Sequence, residues 1–413
     1  MPHPFSIYTD EVLAFALGGR QDNAVTPGVP HEGDVFRFRD RVLRTLAAGG
    51  MRHVVLFGLG SGCAARVLAR SLPPPVELTV VCMDPALARG AARIGGVSWI
   101  APEGRARLLC DTSTWAAWLL LWLAGIGARE SLTVFSPEPL DPAEKDRLLA
   151  LERLFAGTGL VPLPGCDSGP VTPPRISFAS VLSPEEPDLE DFFAAIPAVA
   201  SEAVALWDAP DVPAAARAAC ASPVPVRHLG RPLGRDFAAQ RNAMLAACQG
   251  DWVFFLDADE RPDAALAAML PGLSAMPGVN VFAFPRLTLY PDAGHAKIGY
   301  GLWPDLQTRF FRRINSDGTM PRFERPVHER LVGVAGDTAV VPGASIRHLS
   351  RLLKDRGTLA AKLRGFDAAS GGGVHHRINR DYPFLPRAFF SELVSGVGPR
   401  VLVPPGTKLA AAG

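Results

Sequence analysis

The stretch Trp252-Val253-Phe254-Phe255-Leu256-Asp257-Ala258-Asp259-Glu260 decides the fold of the second half of this chain. Its apolar part, Trp252 to Leu256, predicts a strand that is covered on both faces and therefore lies inside a parallel sheet. Side chains alternate along an extended segment, so we expect Asp257 and Asp259 to point the same way. Open α/β sheets bind ligands at the carboxyl ends of their strands, and the acid pair therefore predicts a binding site at such an edge.

The chemistry of this acid pair indicates a divalent cation. Two neighbouring carboxylates are costly to bury unless a cation neutralises them. Oxygen ligands suit Mg²⁺ or Mn²⁺, and Mg²⁺ is usually held by one or two carboxylates together with substrate phosphates. The implied ligand is a diphosphate whose departure the metal assists. The alternative is a loop of surface acids that caps the next helix, because an isolated Asp-x-Asp occurs often by chance.

Strands and helices alternate on the N-terminal side of this stretch, which predicts a parallel α/β layer. Ser183-Pro184-Glu185-Glu186 fits a capping box with Pro at the first helical position, so we expect a helix to begin there. A further helix is expected to begin at the N-cap Asp236. The predicted strands are Ile176 to Leu182, Ala203 to Trp207 and Val224 to Leu229.

The N-terminal half repeats this alternation around a glycine-rich turn. A strand, His53 to Phe57, runs into Gly58-Leu59-Gly60-Ser61-Gly62, and a second strand, Glu77 to Met83, ends at Asp84. Such a turn lets a cofactor approach the backbone, and an acid after the next strand can bind ribose hydroxyls. We therefore predict a possible nucleotide site at Gly58, Gly60, Gly62 and Asp84. A third strand is expected at Ser131 to Phe135.

Length and composition limit the classes of protein to consider. A chain of 413 residues contains two or three domains at about 100–200 residues each. Its net charge of +1, from 42 basic and 41 acidic residues, argues against a nucleic-acid binder driven by bulk charge.

The six cysteines form no Cys-x-x-Cys pair and predict free thiols in a reducing compartment. The longest apolar run, Trp115 to Ala128, is shorter than the ~18–20 residues of a spanning helix and predicts a buried helix. We expect a cytoplasmic protein and leave open peripheral association with the inner face of the membrane.

The segment from Arg235 to Arg261 resembles the family-2 glycosyltransferases of GT-A fold. The resemblance rests on the Arg241-Asn242 helix, the Gly250-Asp251 turn, the apolar strand and the Asp-x-Asp followed by Glu260. Two later blocks are similar to a bacterial branch of that family, which includes lipopolysaccharide-core, cell-wall and peptide-glycosylating enzymes. These blocks are Trp303-Pro304-Asp305-Leu306-Gln307-Thr308-Arg309-Phe310-Phe311-Arg312-Arg313 and Pro326-Val327-His328-Glu329-Arg330-Leu331. The resemblance covers roughly residues 175–350, under half of the chain.

The resemblance implies a metal-dependent, inverting transfer of a sugar from a nucleotide-diphosphate donor to a glycan, lipid-linked or protein acceptor. Asp257 and Asp259 correspond to the metal-binding pair, and a late histidine, His348, is a third candidate ligand. The family's Glu-Asp pair with the general base is missing, so Glu329 is the first candidate for that base and Asp305 the second. Either acid could instead be an ion-pair partner of the nearby arginines. The predicted substrate-binding residues are Asp208, Arg241, Asn242, Trp303 and Arg309.

Two departures from the family leave the nucleotide base open. Where many members carry a Lys-Asn-Glu stretch and an Asp-rich turn, this chain has Ser183-Pro184-Glu185-Glu186 and Trp207-Asp208-Ala209-Pro210-Asp211. The N-terminal turn resembles the start of S-adenosylmethionine methyltransferases, so S-adenosylmethionine is a candidate cofactor there. A degenerate Rossmann-like domain for docking or acceptor presentation is the alternative. The open hypotheses are therefore a glycosyltransferase, a bifunctional enzyme with a methyltransferase domain, and a non-catalytic scaffold.

The predicted fold class is α/β with two domains. Residues 1–165 form an N-terminal Rossmann-like domain with a parallel sheet. A linker rich in Pro, Gly and Ser spans 166–174. Residues 175–365 form a C-terminal domain of GT-A nucleotide-diphosphosugar transferase fold. The tail, 366–413, cannot be assigned to either domain from its sequence.

Overall fold

The computed structural model describes residues 3–15, 28, 30–101, 104–164, 174–214, 221–326, 329–354, 357, 381–396 and 398–406. Its contacts divide the chain into two compact units. Unit 1 comprises Met1–Thr158, His295–Pro304 and Asn379–Gly398, and unit 2 comprises Gly159–Gly294, Asp305–Ile378 and Pro399–Gly413. The predicted linker lies outside the described residues except for Pro174. The described parts of the C-terminal tail are shared between the two units.

Unit 1 is built on a parallel sheet in the order β3-β2-β1-β4. Its further two-stranded pair, β12 with β18, is antiparallel. Its strands are β1 (His53–Phe57), β2 (Glu77–Cys82), β3 (Ala106–Cys110), β4 (Ser131–Phe135), β12 (His295–Lys297) and β18 (Phe384–Pro386). Its helices are α1 (Pro4–Ala14), α2 (Glu32–Ala47), α3 (Cys63–Ser71), α4 (Pro85–Arg93), α5 (Thr114–Leu123), α6 (Pro142–Gly157) and α11 (Arg387–Ser395), with a 3₁₀ turn at Ala128–Glu130.

Unit 2 contains a larger mixed sheet in the order β5-β19-β16-β11-β13-β9-β6-β7-β8, and β10 and β17 extend it beside β11. Its strands are β5 (Gly159–Pro162), β6 (Ile176–Leu182), β7 (Glu202–Trp207), β8 (Val226–Gly230), β9 (Trp252–Phe255), β10 (Glu260–Pro262), β11 (Val279–Thr288), β13 (Leu306–Arg312), β14 (Arg322–Glu324), β15 (Arg330–Val332), β16 (Asp337–Val340), β17 (Ile346–His348) and β19 (Arg400–Val403). Its helices are α7 (Leu189–Ala194), α8 (Phe237–Ala247), α9 (Ala264–Ser274) and α10 (Ser350–Leu353).

The two units share one arrangement of parallel strands. In unit 2, the strands β8, β7, β6 and β9 lie side by side and are parallel to one another. Counted along the chain, their order in the sheet is third, second, first and fourth. The order β3-β2-β1-β4 of unit 1 is the same. In doubly wound sheets, the ligand crevice lies where the strand order reverses, between the first and fourth strands. The predicted α/β class with parallel layers is confirmed.

The strand β9 lies in the middle of the core of unit 2, as its unbroken apolar sequence predicts. Every residue of β9 is buried. Trp252 stacks on Phe310 with ring centroids 4.8 Å apart, and Phe254 contacts Phe178 and Phe284. Burial of such rings is the main stabilising contribution to a core of this kind. The rigid strand fixes the position of the acids that follow it.

Of the two predicted helix starts in unit 2, one is confirmed and the other is wrong. The helix α8 begins as predicted, because the Asp236 carboxylate caps it by accepting the Ala239 N–H. The capping-box prediction at Ser183 is wrong, since the helix α7 begins only at Leu189. Pro187 explains this difference, because proline disfavours the helical conformation of the residue before it.

Predictions about the apolar run and the thiols are confirmed where they are described. The apolar run forms the buried helix α5. The described cysteines, Cys63, Cys82, Cys110 and Cys248, are free thiols, and Cys166 and Cys220 lie outside the described residues. Among the described helices, none is long and apolar enough to cross a bilayer.

Candidate functional site

The acids after β9 form a tight turn, which we call the acid turn (Asp257, Ala258, Asp259 and Glu260). The Glu260 N–H donates to the Asp257 carbonyl at 2.9 Å, and the Asp257 N–H donates to the Glu260 carboxylate at 3.1 Å. The segment is therefore a turn and is not extended as predicted, which removes the basis for expecting the two aspartates to point the same way. The Asp257 and Asp259 carboxylates contact different basic side chains. The side chain of Asp257 is 34% exposed, whereas that of Asp259 is 5% exposed.

Two arginines bind Asp257 from different elements. Arg241 on α8 donates to one carboxylate oxygen at 3.0 Å, and Arg309 on β13 donates to the other at 2.6 Å. Burial disfavours the charged carboxylate, but the two guanidinium groups outweigh this effect and hold the pKa of Asp257 well below its usual range. Asp257 is therefore ionised at physiological pH. This arrangement places two guanidinium groups beside a carboxylate that solvent can reach.

Aromatic rings fix the guanidinium of Arg241. Its central carbon lies 4.9 Å from the centroid of the Phe255 ring and 5.7 Å from that of Phe323. Its Nε lies 3.4 Å from a carboxylate oxygen of Glu329, so it connects Glu329 to Asp257. Burial opposes the charge of Arg241, but Asp257 and Glu329 outweigh that cost and raise its pKa above the usual range.

Glu260 anchors the acid turn, a role that the sequence did not reveal. Its side chain is fully buried and accepts from Arg309 at 2.7 Å and from Arg286 at 3.0 Å. Arg286 also contacts Asp305 at 2.7 Å. The glutamate after the acid pair was visible as part of the motif. No pattern in the sequence indicated the role of Arg286, which lies on β11 and is 26 positions from Glu260.

Arg261 clamps the backbone of the same turn. It is 1% exposed and donates to the carbonyls of Ala258 at 2.7 Å and of Glu260 at 3.0 Å. It also contacts the carboxylate of Asp188, just before α7, at 3.0 Å and that of Asp191, in α7, at 3.2 Å. Arg261 therefore ties the acid turn to α7 and keeps the carboxylates in place.

Asp259 contacts two basic side chains. One of its oxygens lies 3.3 Å from the Lys354 ammonium, and the other lies 3.7 Å from Nε2 of His348. Nδ1 of His348 lies 3.1 Å from the Thr288 hydroxyl. Within the described parts of the chain, no group of three or more His, Cys, Asp or Glu side chains is gathered to hold a metal ion by itself. The predicted ligands Asp257, Asp259 and His348 are thus neighbours without forming a complete metal shell.

Comparison with known proteins identifies the part of the chain that carries this turn. Residues 208–297 match the model of the family described as glycosyl transferase family 2. This part of the chain is similar to the family-2 glycosyltransferases. A stretch of 137 residues is 31% identical to the lipopolysaccharide core biosynthesis glycosyltransferase LpsC of Rhizobium meliloti (strain 1021). That match covers 32% of this chain and 46% of LpsC, so the chain spans less than half the length of this curated relative.

Solved structures resemble the chain over short stretches. One is glucosyl-3-phosphoglycerate synthase from Mycobacterium tuberculosis in complex with Mn²⁺, uridine diphosphate and phosphoglyceric acid. It is 21% identical, with a TM-score of 0.23, and the match covers 27% of this chain and 43% of that one. Another is residues 1–349 of S. aureus TarS, 14% identical with a TM-score of 0.25, covering 33% of this chain and 47% of that one.

Other predicted substrate-binding residues have structural partners. The Asp208 carboxylate accepts the Leu233 N–H at 2.7 Å and so fixes the loop that follows β8. The Asn242 amide pairs with both backbone groups of Phe323, at 2.9 and 2.7 Å, and so ties α8 to β14. Trp303 belongs to unit 1, where it is 2% exposed and packs against Tyr8 and Phe390.

The two candidates for the general base differ in their contacts. The Asp305 carboxylate accepts from Arg286 and, at 2.7 Å, from Gln307, so both of its oxygens are engaged. The described contact of Glu329 is the looser pair with Arg241 at 3.4 Å. Val327 and His328, immediately before Glu329, lie outside the described residues.

In unit 1, the glycine-rich turn is occupied by the protein itself. The Glu138 carboxylate, which follows β4, accepts the N–H groups of Ser61 at 2.5 Å and Ala64 at 3.0 Å. A Cβ at Gly60 would lie 2.5 Å from a Glu138 oxygen. A Cβ at Gly62 would lie 1.9 Å from the Gly96 carbonyl. These glycines therefore allow close approach by the chain's own groups, which explains their presence without a cofactor.

Asp84 also has a structural role. Its carboxylate caps α4 by accepting the N–H groups of Ala86 at 2.8 Å and Leu87 at 3.2 Å. Both N–H groups donate to Oδ1, so the cap engages one of the two carboxylate oxygens. The contacts of Asp84 and of the glycine-rich turn thus give no support to S-adenosylmethionine as a cofactor.

Proposed function

We propose that this protein transfers a sugar, with inversion, from a nucleotide-diphosphate donor that is bound at the acid turn with a divalent metal ion. One observation carries the proposal. The acid turn follows the fourth parallel strand of unit 2, inside the family-2 segment, and faces the guanidinium groups of Arg241 and Arg309. Clefts at this position of a parallel sheet are where α/β proteins bind nucleotides.

The residues of the acid turn fit Mg²⁺ or Mn²⁺. Carboxylate oxygens are the ligands these hard cations prefer, and an ionised carboxylate offers about four lone-pair sites. The described contacts of Asp257 with Arg241 and Arg309 leave part of this capacity unused. Two carboxylates suffice for Mg²⁺ when substrate phosphates complete the coordination shell. A bound metal would neutralise charge on the departing diphosphate.

The arginines at the turn suit phosphate oxygens. A guanidinium group presents several donors in a planar fork, which matches phosphate geometry. The Nε of Arg309 is buried and has no hydrogen-bond partner among the described residues. Arg241, clamped by two aromatic rings, keeps its orientation without a ligand. In our proposal these arginines orient the diphosphate, while Asp257 stays ionised beside them.

For the general base we favour Glu329. Inversion by a single displacement needs one carboxylate to remove the acceptor proton. The loose contact of Glu329 leaves it more capacity to accept a proton than the doubly engaged Asp305 has. In this proposal Asp305 orients Arg286, which in turn holds Glu260.

The similarity to LpsC supports a role in bacterial envelope or surface-structure biosynthesis. The acceptor in this proposal is a glycan, a lipid-linked glycan or a protein. We further propose a cytoplasmic location at or near the inner face of the membrane.

A panel of nucleotide sugars tests the function. Purified protein with Mn²⁺ should hydrolyse or transfer one donor, and Asp259→Asn should lose at least about 100-fold of that activity. The control is Arg400→Met, which removes an exposed arginine of β19 in the same unit and should leave activity unchanged. Equal activity of wild type and Asp259→Asn would overturn the metal assignment. Nucleotide and metal binding without turnover of any donor would indicate a non-catalytic scaffold.

A further inference from the structure

A cluster of four side chains includes Asp259 of the acid turn. We call Lys354, Glu186, Asp259 and His348 the lysine cluster. The Lys354 ammonium lies 2.9 Å from one carboxylate oxygen of Glu186 and 3.3 Å from Asp259. The side chains of Lys354, Glu186 and Asp259 are 8%, 19% and 5% exposed. A lysine in this position was not indicated by any motif in the sequence.

Backbone contacts fix Lys354 at this place. The Leu349 N–H donates to the Asp259 carbonyl at 2.8 Å, and His348 pairs with Glu260 in the β17–β10 ladder. Lys354 follows directly after the short helix α10, which begins at Ser350. The lysine is therefore held against Asp259 by the same backbone that carries the candidate ligand His348.

The Lys354 ammonium pairs with two carboxylates, those of Glu186 and Asp259. A divalent cation at Asp259 would face this positive charge within a few ångströms. Like charges this close repel each other, because a partly buried site screens them less than water does.

From this geometry, we propose that Lys354 competes with the divalent metal for Asp259, and that Glu186 is the alternative partner of the ammonium. The proposal rests on the proposed function, because it assumes that Asp259 is a metal ligand. Glu186 is the nearer of the two carboxylates, so the ammonium stays paired when Asp259 is used elsewhere. The expected consequence is weak metal binding in the free protein. Donor phosphates, which add metal ligands, then favour binding of metal and donor together.

Calorimetric titration of the full chain with Mn²⁺, without nucleotide, tests this proposal. Lys354→Met keeps the length of the side chain and removes its charge, so it should bind Mn²⁺ roughly tenfold more tightly than wild type. Glu186→Gln should bind it several-fold more weakly, because the ammonium then depends more on Asp259. Arg400→Met serves as the control for loss of a positive charge elsewhere in unit 2 and should match wild type.

The opposite changes in Mn²⁺ affinity expected for Lys354→Met and Glu186→Gln distinguish competition from a structural role. Unchanged or weaker Mn²⁺ binding by Lys354→Met would overturn the proposal. If that variant does not fold, Glu186→Gln decides alone, and unchanged or tighter binding would overturn it. Asp259→Asn separates the two proposals. If it binds Mn²⁺ as wild type does, the metal assignment itself fails, whereas if it loses binding and Lys354→Met gains none, only the competition fails.

Discussion

The parallel sheet of unit 1 and the four parallel strands in the mixed sheet of unit 2 have the same strand order but different chemistry at their carboxyl ends. In unit 1, the acid after the fourth strand is Glu138, and its carboxylate fills the glycine-rich turn after the first strand. In unit 2, the acids after the fourth strand are Asp257 and Asp259, and their partners are cationic side chains. One edge is therefore closed by the chain's own carboxylate, and the other combines carboxylates with cations that suit a phosphate ligand.

The difference shows that a sequence motif predicts a binding site only when the residues around it in the fold leave it free to bind a ligand. A glycine-rich turn predicts a nucleotide site only if the facing residues leave room for a ligand. An acid pair predicts a metal site only if its own partners leave oxygens available. Both conditions depend on residues far away in sequence. Four predictions, from the largest expected effect to the smallest, test the contrast between the two edges.

The first prediction concerns turnover at the acid turn of unit 2. Glu329→Gln should lower kcat by about 10²–10⁴-fold with little change in nucleotide affinity, because a general base is lost while the arginine contacts remain. Steady-state kinetics with the active donor, and nucleotide titration, measure the two effects. Asp305→Asn is the matched comparison. If Glu329→Gln retains turnover, the role of base passes to Asp305 or to another residue.

The second prediction concerns the stability of the acid turn. Arg309→Met removes one cationic partner from Asp257 and one from Glu260, whose side chain is fully buried. Removing one partner from a buried ion pair typically costs about 3–5 kcal/mol. The free energy of unfolding in urea should fall by that amount. Arg312→Met, an exposed arginine on the same strand, should change it by less than about 0.5 kcal/mol. Equal losses in the two variants would show that the buried pairs contribute little.

The third prediction uses the opposite pKa shifts of the two edges. Burial raises the pKa of Asp111, which follows β3 in unit 1, to about 6 from an ordinary value of 3.8, although the Tyr8 hydroxyl donates to it. The native state therefore binds more protons than the unfolded state between about pH 4 and 6, and this acid makes the protein less stable as pH rises through that window. The loss is about 3 kcal/mol at most. Asp257, with its lowered pKa, contributes stability above about pH 4 that is lost in stronger acid.

Urea denaturation at several pH values measures this contrast. The difference in unfolding free energy between wild type and Asp111→Asn should change between pH 4 and 6 and then stay constant to pH 7. Asp257→Asn should differ from wild type by an amount that is constant over that window. A pH-independent difference for Asp111→Asn would show that its carboxylate has an ordinary pKa.

The fourth prediction tests whether the edge of unit 1 is closed by Glu138. Glu138→Ala leaves the N–H groups of Ser61 and Ala64 without their acceptor, at a cost of about 1–3 kcal/mol. Glu138→Gln keeps an oxygen acceptor and should lose less. Thermal denaturation measures both variants. Tight binding of S-adenosylmethionine to the wild type would contradict the closed edge outright.

Local patterns in the sequence were sufficient for several features. The apolar run Trp252 to Phe255 correctly predicted a buried central strand, and Asp236 correctly predicted the start of α8. The family segment could be recognised from Arg241-Asn242 and the acid pair together. Each of these features depends on residues that are close in sequence.

The features that could not be predicted depend on long-range contacts. The acid turn bends because Glu260 is anchored by Arg286 and Arg309, which lie on other strands. The glycine-rich turn is filled by Glu138, which is 77 positions after Ser61. Lys354 meets Asp259 only through the backbone pairing of β17 with the acid turn. No pattern of spacing contains these contacts.

The proposal that the donor binds at the acid turn of unit 2 can be tested by calorimetric titration with Mn²⁺ and a panel of nucleoside diphosphates. Wild type and Glu138→Gln should bind one nucleotide alike, and the double variant Asp257→Asn, Asp259→Asn should lose metal-dependent binding. Undiminished metal-dependent binding by the double variant, or loss of binding in Glu138→Gln while the fold is kept, would show that the donor does not bind at the acid turn.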